Sequence, residues 1–334
     1  MNREILTKTV ARLVSPPKGI LAIDESVNTC NERFEKLGVP ATLEKRREYR
    51  ELLITAPDME KYISGYILFD ETIRQSTAKE GKSFIFVLKG KGIDIGIKVD
   101  QGLVDFPLHI GEKITQGLEG LSIRLKEYKN MGASFAKWRA VYTITENTPS
   151  GDCMRENAVL FAKYALLCQE LDIVPIVEPE ILMNGIHTID KCYEVTAQNL
   201  NIIFSELKDA GVFIPGMILK TSMVIPGDDP KIAIYDEEIA KMTIKCLKEN
   251  VPDDIGGIVF LSGGQGDEQA VKHLNAMHKM GPLPWPLTFS YGRAIQNGAL
   301  KSWAQNPIDI AGAQVLLLQA AKNSSEASVG KYEK

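Results

Sequence analysis

The sequence predicts an α/β fold, a single parallel (β/α)8 barrel of the TIM type, and three observations carry that expectation. Eight short strand-like segments recur along the 334 residues, helical patterns fill the gaps between them, and ionisable residues collect at the C-terminal ends of the segments. The segments are GILAID, YISGYILFD, IDIGIKVD, SFAKWRAVY, IVPIVEPEIL, GMILKTSMV, IGGIVFLSG and LTFSYG. They begin roughly 30 to 45 residues apart, the length of a βαβ unit. Eight such repeats favour a closed barrel over the competing open, doubly wound sheet.

In chain order, MNREILTKTVARLV reads as an N-terminal amphipathic helix, without the continuous apolar stretch or small-residue cleavage site of a secretory signal. Strands occupy about 19–292. Among the connecting helices, ENAVLFAKYALLCQEL repeats Ala158, Phe161, Ala162, Ala165 and Leu166 near a period of 3.6. TLEKRREYRELLI, DEEIAKMTIKCLKEN and DEQAVKHLNAMHKM are similar. The late apolar segment AGAQVLLLQAA is about half the length needed to cross a bilayer and holds Gln314 and Gln319. It is expected to be a packed helix over about 306–322, followed by a short, polar, flexible tail at 323–334. No linker divides the chain, so residues 1–334 are expected to form one barrel domain.

Composition narrows the function classes. Apolar residues at 44% and charged residues at 25% suit a globular enzyme with a sizeable core. A formal net charge of -4 with both signs mixed gives no general field for nucleic acid, and no apolar segment suits a membrane. Neither partner is expected. Five cysteines, odd in number and never arranged as C-x-x-C, argue for reduced thiols and a cytoplasmic location. His109, His187, His273 and His278 fall away from the strand ends, and His273 and His278 are spaced wrongly to share a helical face. No metal or other cofactor is expected.

Catalytic groups in a parallel barrel gather where the strands end. Asp24 closes the first segment, and Lys98 with Asp100 closes the third. Lys137 and Arg139 lie in the fourth, Glu178 and Glu180 in the fifth, and Lys220 in the sixth. Ser262 follows the seventh, and Ser290 with Arg293 the eighth. Strand alternation puts Lys137 on the same face as Arg139, and Glu178 on the same face as Glu180. Any one of these has a plain reading: a lone lysine reaching solvent, Asp24 capping a helix, Arg139 or Glu180 in a structural ion pair. Together they would cost much desolvation without a purpose.

Two lysines in one mouth lower each other's pKa, so that one can act as a neutral amine nucleophile. Glu178 and Glu180 are candidates to shuttle protons while such an amine condenses with a ketone. Asp24 is a candidate base for a β-hydroxyl, whose deprotonation lets the adjoining carbon–carbon bond break. LSGGQG suggests a backbone nest for phosphate, and SYGR adds Gly292 and Arg293 from the next strand. Lys98, Arg139, Ser26 and Arg33 suggest a second anionic pocket, giving the site two phosphate-binding ends.

From GILAIDES to SYGRA the chain resembles the class I fructose-bisphosphate aldolases, through KGILAIDES, ILFDET, GIKVD, TQGLEGL, FAKWR, IVPIVEPEIL, LSGGQ and LTFSYGRA. The resemblance implies a metal-free barrel, usually a homotetramer, that reversibly cleaves fructose 1,6-bisphosphate to dihydroxyacetone phosphate and glyceraldehyde 3-phosphate. It implies Lys220 as the Schiff-base lysine, Glu178 as its acid/base, Lys137 as the second lysine and Asp24 as the carboxylate taking the proton in cleavage. Glu180 becomes a charge partner in the lysine network. Ser262, Gly263, Gly292 and Arg293 become the C1-phosphate site; Lys98, Ser26, Arg139 and Arg33 become the C6-phosphate side. Three departures stand out: LKTSM replaces the family's LKPNM, Thr29 replaces a serine, and the long tyrosine-ended tail is missing beyond Tyr332. The rival expectations are a Schiff-base aldolase for another phosphosugar and an idle phosphosugar-binding barrel.

Overall fold

Eight parallel strands close into a barrel in chain order in the computed structural model, which describes residues 1–229 and 235–333. They are β1 (Gly19–Ile23), β2 (Ile63–Leu68), β3 (Asp94–Lys98), β4 (Phe135–Tyr142), β5 (Val174–Ile181), β6 (Ile218–Thr221), β7 (Gly257–Phe260) and β8 (Leu287–Tyr291). Pairing of Ile20 with Ser290 and Leu21 with Tyr291 joins β8 back to β1. The open doubly wound alternative is thereby excluded.

The inward stripes of these strands change character along their length. Toward one end of the barrel, Ile20, Ile67, Phe135, Val174, Ile176, Ile218 and Val259 are buried in one cluster with Leu6, Val10, Leu13 and Val14. The last four come from the helix Arg3–Leu13 and its C-cap, so the N-terminal helix plugs the bottom of the barrel. Asn2 starts that helix by accepting from the backbone N–H groups of Glu4 and Ile5 at 3.1 and 3.2 Å. Burying each of its aliphatic side chains stabilises the plug by about 1.5–3 kcal/mol. Gly96 has a packing role here, since a Cβ at that position would overlap the Phe135 ring.

Because side chains alternate, the same stripes continue two residues at a time into polar groups. Ile20 leads through Ala22 to Asp24, Phe135 to Lys137 and Arg139, Ile176 to Glu178 and Glu180, and Ile218 to Lys220. The β4–β5 register sets Arg139 beside Glu178 and Val141 beside Glu180. Apolar strand starts thus form a dry floor under a charged mouth.

Two sequence expectations change. The region after β3, without assigned structure in the sequence, contains an antiparallel hairpin of Leu103–Asp105 and Lys113–Thr115. The last helix runs Ile310–Ala327 rather than 306–322, and the chain beyond it is packed down rather than free. Ser324 donates to the Ala320 carbonyl at 2.9 Å and Ser328 to the Pro17 carbonyl at 3.0 Å, which lets these serines be buried. Tyr332 exchanges two hydrogen bonds with the Asn275 side chain, at 3.0 and 3.1 Å. Lys334 lies outside the described residues. No helix among the described residues is long and apolar enough to cross a membrane.

Candidate active site

The strand ends open into a cavity of about 1030 Å³, and every site residue singled out from the sequence lines it. At its floor Lys220 Nζ stands 3.0 Å from Glu178 Oε1, and Lys137 Nζ stands 3.0 Å from Glu178 Oε2 and 2.8 Å from Asp24 Oδ2. Asp24, Lys137, Glu178 and Lys220 are all buried, at 3–9% exposure, so these charges attract with little solvent screening. Glu178 Oε2 has no aligned hydrogen bond, and its contact with Lys137 is one of charge alone.

At Lys137 the electrostatics run against the expectation that paired lysines depress each other's pKa. Burial pulls Lys137 down, but Asp24, Glu178 and Asp100 outweigh it and hold the ammonium well above its ordinary value. Lys137 is therefore a fixed cation, because carboxylates rather than a bare lysine surround it. Burial would raise the Asp24 carboxyl, yet Lys137, then Lys220 and Lys98, bring it down to about 2. Glu178 is likewise lowered: Lys137, Lys220 and Arg139 overcome its burial and the like charge of Asp24. Both carboxylates are ionised and able to accept a proton.

Glu180 stands elsewhere than its expected place in the lysine network. It accepts a hydrogen bond from Arg139 Nε, because Arg139 lies on the adjoining strand one step farther out than Lys137. The Arg139 side chain keeps 35% exposure toward the mouth. Lys98 pairs with Asp100, and the other Asp100 oxygen accepts from the Arg139 backbone N–H at 3.3 Å. Ser26 caps the helix Val27–Glu35, accepting from Thr29 N–H at 3.3 Å and lying 3.1 Å from the Thr29 hydroxyl. Arg33 borders the cavity but is held by Glu25, Gln296 and Asn297. These residues make a wall of paired charges with a helix N-terminus in it.

The opposite wall is built on backbone. Ser262–Gln265 forms a turn closed by the Gln265 N–H donating to the Ser262 carbonyl at 3.0 Å. Gly263 and Gly264 take φ values of 52° and 86°, which glycine tolerates best. Gly292 is the N-cap of the helix Arg293–Gln305, so that helix also presents its positive end to the mouth. Arg293 reaches across to Gly264, its Nη2 lying 3.9 Å from where a Gly264 Cβ would stand. Both ends of the cavity suit an anion.

Three contributors had no role assigned from sequence. Asp100 was visible as a strand-end acid, and its position two residues beyond Lys98 was the available signal. Ser290 lines the cavity with a buried hydroxyl that has no protein partner, and it lies two residues before Gly292 on the same alternating stripe. Glu25 carries no such signal: it turns away from Asp24 to pair with Arg33 and with Arg50, at 2.9 Å for the latter. None of the four histidines lines the cavity, and no group of His, Cys, Asp and Glu among the described residues could hold a metal ion.

Comparison with known proteins supplies a family. The model of the family described as "Fructose-bisphosphate aldolase class-I" matches residues 5–334. A protein of Xanthomonas campestris pv. campestris, named probable fructose-bisphosphate aldolase class 1, is 50% identical over 334 residues, covering 100% of both chains. Fructose-bisphosphate aldolase 5, cytosolic, of Arabidopsis thaliana is 47% identical over 98% of this chain and 91% of its own. Among solved structures, the aldolase of Plasmodium falciparum in complex with TRAP and a small-molecule inhibitor superposes with a TM-score of 0.97 at 43% identity. That match covers 99% of this chain and 96% of the other.

Proposed function

This chain belongs to the class I fructose-bisphosphate aldolase family, and on that premise we propose how its barrel mouth performs the reversible cleavage of fructose 1,6-bisphosphate to dihydroxyacetone phosphate and glyceraldehyde 3-phosphate. The observation that carries the reading is the position of Glu178, 3.0 Å from both Lys220 and Lys137.

Lys220 is the Schiff-base residue. Its ammonium gives a proton to Glu178, and the freed amine attacks the C2 ketone of the substrate. Glu178 returns that proton as the carbinolamine loses water, so one carboxyl serves both halves of imine formation. Lys137 stays charged between Asp24 and Glu178, where it favours negative charge developing on substrate oxygens. Asp24, ionised beside Lys137, removes the C4 hydroxyl proton. The C3–C4 electron pair then moves into the iminium, releasing the aldehyde and leaving an enamine. Protonation and hydrolysis of that enamine return Lys220 and dihydroxyacetone phosphate.

The two phosphates set the register. Ser262, Gly263, Gly292 and Arg293 bind the C1 phosphate, while Lys98, Arg139 and Ser26 bind the C6 phosphate. Arg33 supports that second end through its pairing with Glu25, and Glu180 aims Arg139. Assembly as a homotetramer and a cytosolic location complete the reading. They draw support from the family and from five buried, unbonded cysteines. A cleavage assay comparing fructose 1,6-bisphosphate with fructose 1-phosphate tests it: the bisphosphate should have the higher kcat/KM, and equal values would remove the second phosphate end.

A further inference from the structure

The turn Ser262–Gln265 carries two glycines at positive φ, so its backbone has little intrinsic stiffness. Its Gln265 side chain is buried and points away from the mouth toward the helix Asp267–Lys279. There His273, 1% exposed, places Nδ1 2.7 Å from Gln265 Oε1. The other ring nitrogen, Nε2, is 3.1 Å from Asp236 Oδ1, at the first residue of the helix Asp236–Asn250. That second contact is a close approach without an aligned hydrogen bond. One imidazole therefore ties the turn to two helices outside the barrel.

We infer that His273 is a positioning residue for the C1-phosphate site, holding Ser262 and Gly263 in place through Gln265. The inference rests on the reading of that turn as a phosphate ligand. His273 does not line the mouth. Burial draws its proton affinity below the ordinary histidine range, against the pull of Asp236, so the neutral ring is favoured. With its one proton on Nε2, the ring faces the Asp236 carboxylate and accepts on Nδ1 from the Gln265 amide, whose O and N exchange by a half-turn. Lost, this link would leave a two-glycine turn held by its Gln265–Ser262 backbone hydrogen bond without the Gln265 side-chain anchor. An anion bound by backbone N–H groups would then have to order the turn as it bound.

Asparagine and glutamine separate the two ring nitrogens. An asparagine side chain ends near the position of Nδ1, and a glutamine side chain near that of Nε2. His273→Asn keeps the link to Gln265, whereas His273→Gln keeps only the contact with Asp236. In steady-state cleavage, His273→Gln should raise KM for fructose 1,6-bisphosphate at least about fivefold with kcat within about twofold, while His273→Asn stays within about twofold of the parent in both. Arg293→Ala, measured alongside, reports on the phosphate site itself. If Arg293→Ala raises KM and both His273 variants keep the parental value, the inference fails and the phosphate reading survives. If Arg293→Ala leaves KM unchanged, both fall together. Equal losses in the two His273 variants, with equally lowered melting temperatures, would make His273 a general packing residue and overturn the inference.

Discussion

Glu178 faces Lys220 at 3.0 Å through one carboxylate oxygen and keeps the other for Lys137, so a single acid separates the two buried lysines of the mouth. Glutamine at this position would preserve shape while removing the proton acceptor. Glu178→Gln is expected to lower kcat by about a hundredfold to ten-thousandfold with a smaller change in KM. Pre-steady-state formation of the imine should slow in parallel. A loss confined to KM would move Glu178 out of the proton-transfer role.

Asp24 links the site to acid stability. Its folded pKa of about 2 lies below the ordinary 3.8, because Lys137 and the other cations outweigh burial. The stabilisation is therefore present above pH 3.8 and is lost as the pH falls through that value toward 2. Its size is about 2 kcal/mol at neutral pH. Asp24→Asn should lose correspondingly less stability over the same acid range, as followed by denaturant unfolding at stepped pH. Identical acid slopes in both proteins would show that Asp24 is not the group titrating.

At the proposed C1-phosphate end the Arg293 guanidinium borders Gly264 on the mouth wall. A contact made equally to bound substrate and transition state raises KM when removed and leaves kcat nearly unchanged. Arg293→Ala is accordingly expected to raise KM about tenfold or more, with kcat within about threefold. Steady-state kinetics on the bisphosphate checks this, and an unchanged KM would withdraw the assignment.

Tyr332 is fastened to Asn275, on the helix Asp267–Lys279, and lines a cleft against the helix Asp236–Asn250 rather than the mouth. Tyr332→Phe should change cleavage turnover by less than about tenfold, under about 1.4 kcal/mol of barrier. Enamine protonation then falls to water or to Glu178. Deleting 323–334 is a harsher change, because it removes buried Ser324, Ser325 and Ala327. That truncation should lower the melting temperature before it reports on chemistry. A hundredfold loss in Tyr332→Phe with unchanged stability would return the tyrosine to the mechanism.

The barrel was legible because a parallel strand buried on both faces leaves a short apolar run, and eight of them are hard to arrange otherwise. Lys98, Lys137, Glu178 and Lys220 were legible for the same reason, as charges where such runs end. The state of Lys137 was not. Spacing places two lysines in one mouth, but only the fold places Glu178 between them and Asp24 against one of them. The short hairpin after β3 was hidden by its three-residue strands, which carry little pattern. Ser324 and Ser328 misled in the other direction. They read as a solvated tail, yet each buries its hydroxyl by bonding to a backbone carbonyl.

Lys220, as the amine that forms the imine, is the centre of the proposed mechanism. Borohydride reduction in the presence of dihydroxyacetone phosphate, followed by peptide mass mapping, tests this directly. The expected result is stoichiometric loss of activity with a single reduced adduct on the peptide holding Lys220, and no labelling in Lys220→Met. Adduct on Lys137 or Lys98 in the parent enzyme, or full activity after reduction with substrate present, would contradict the account.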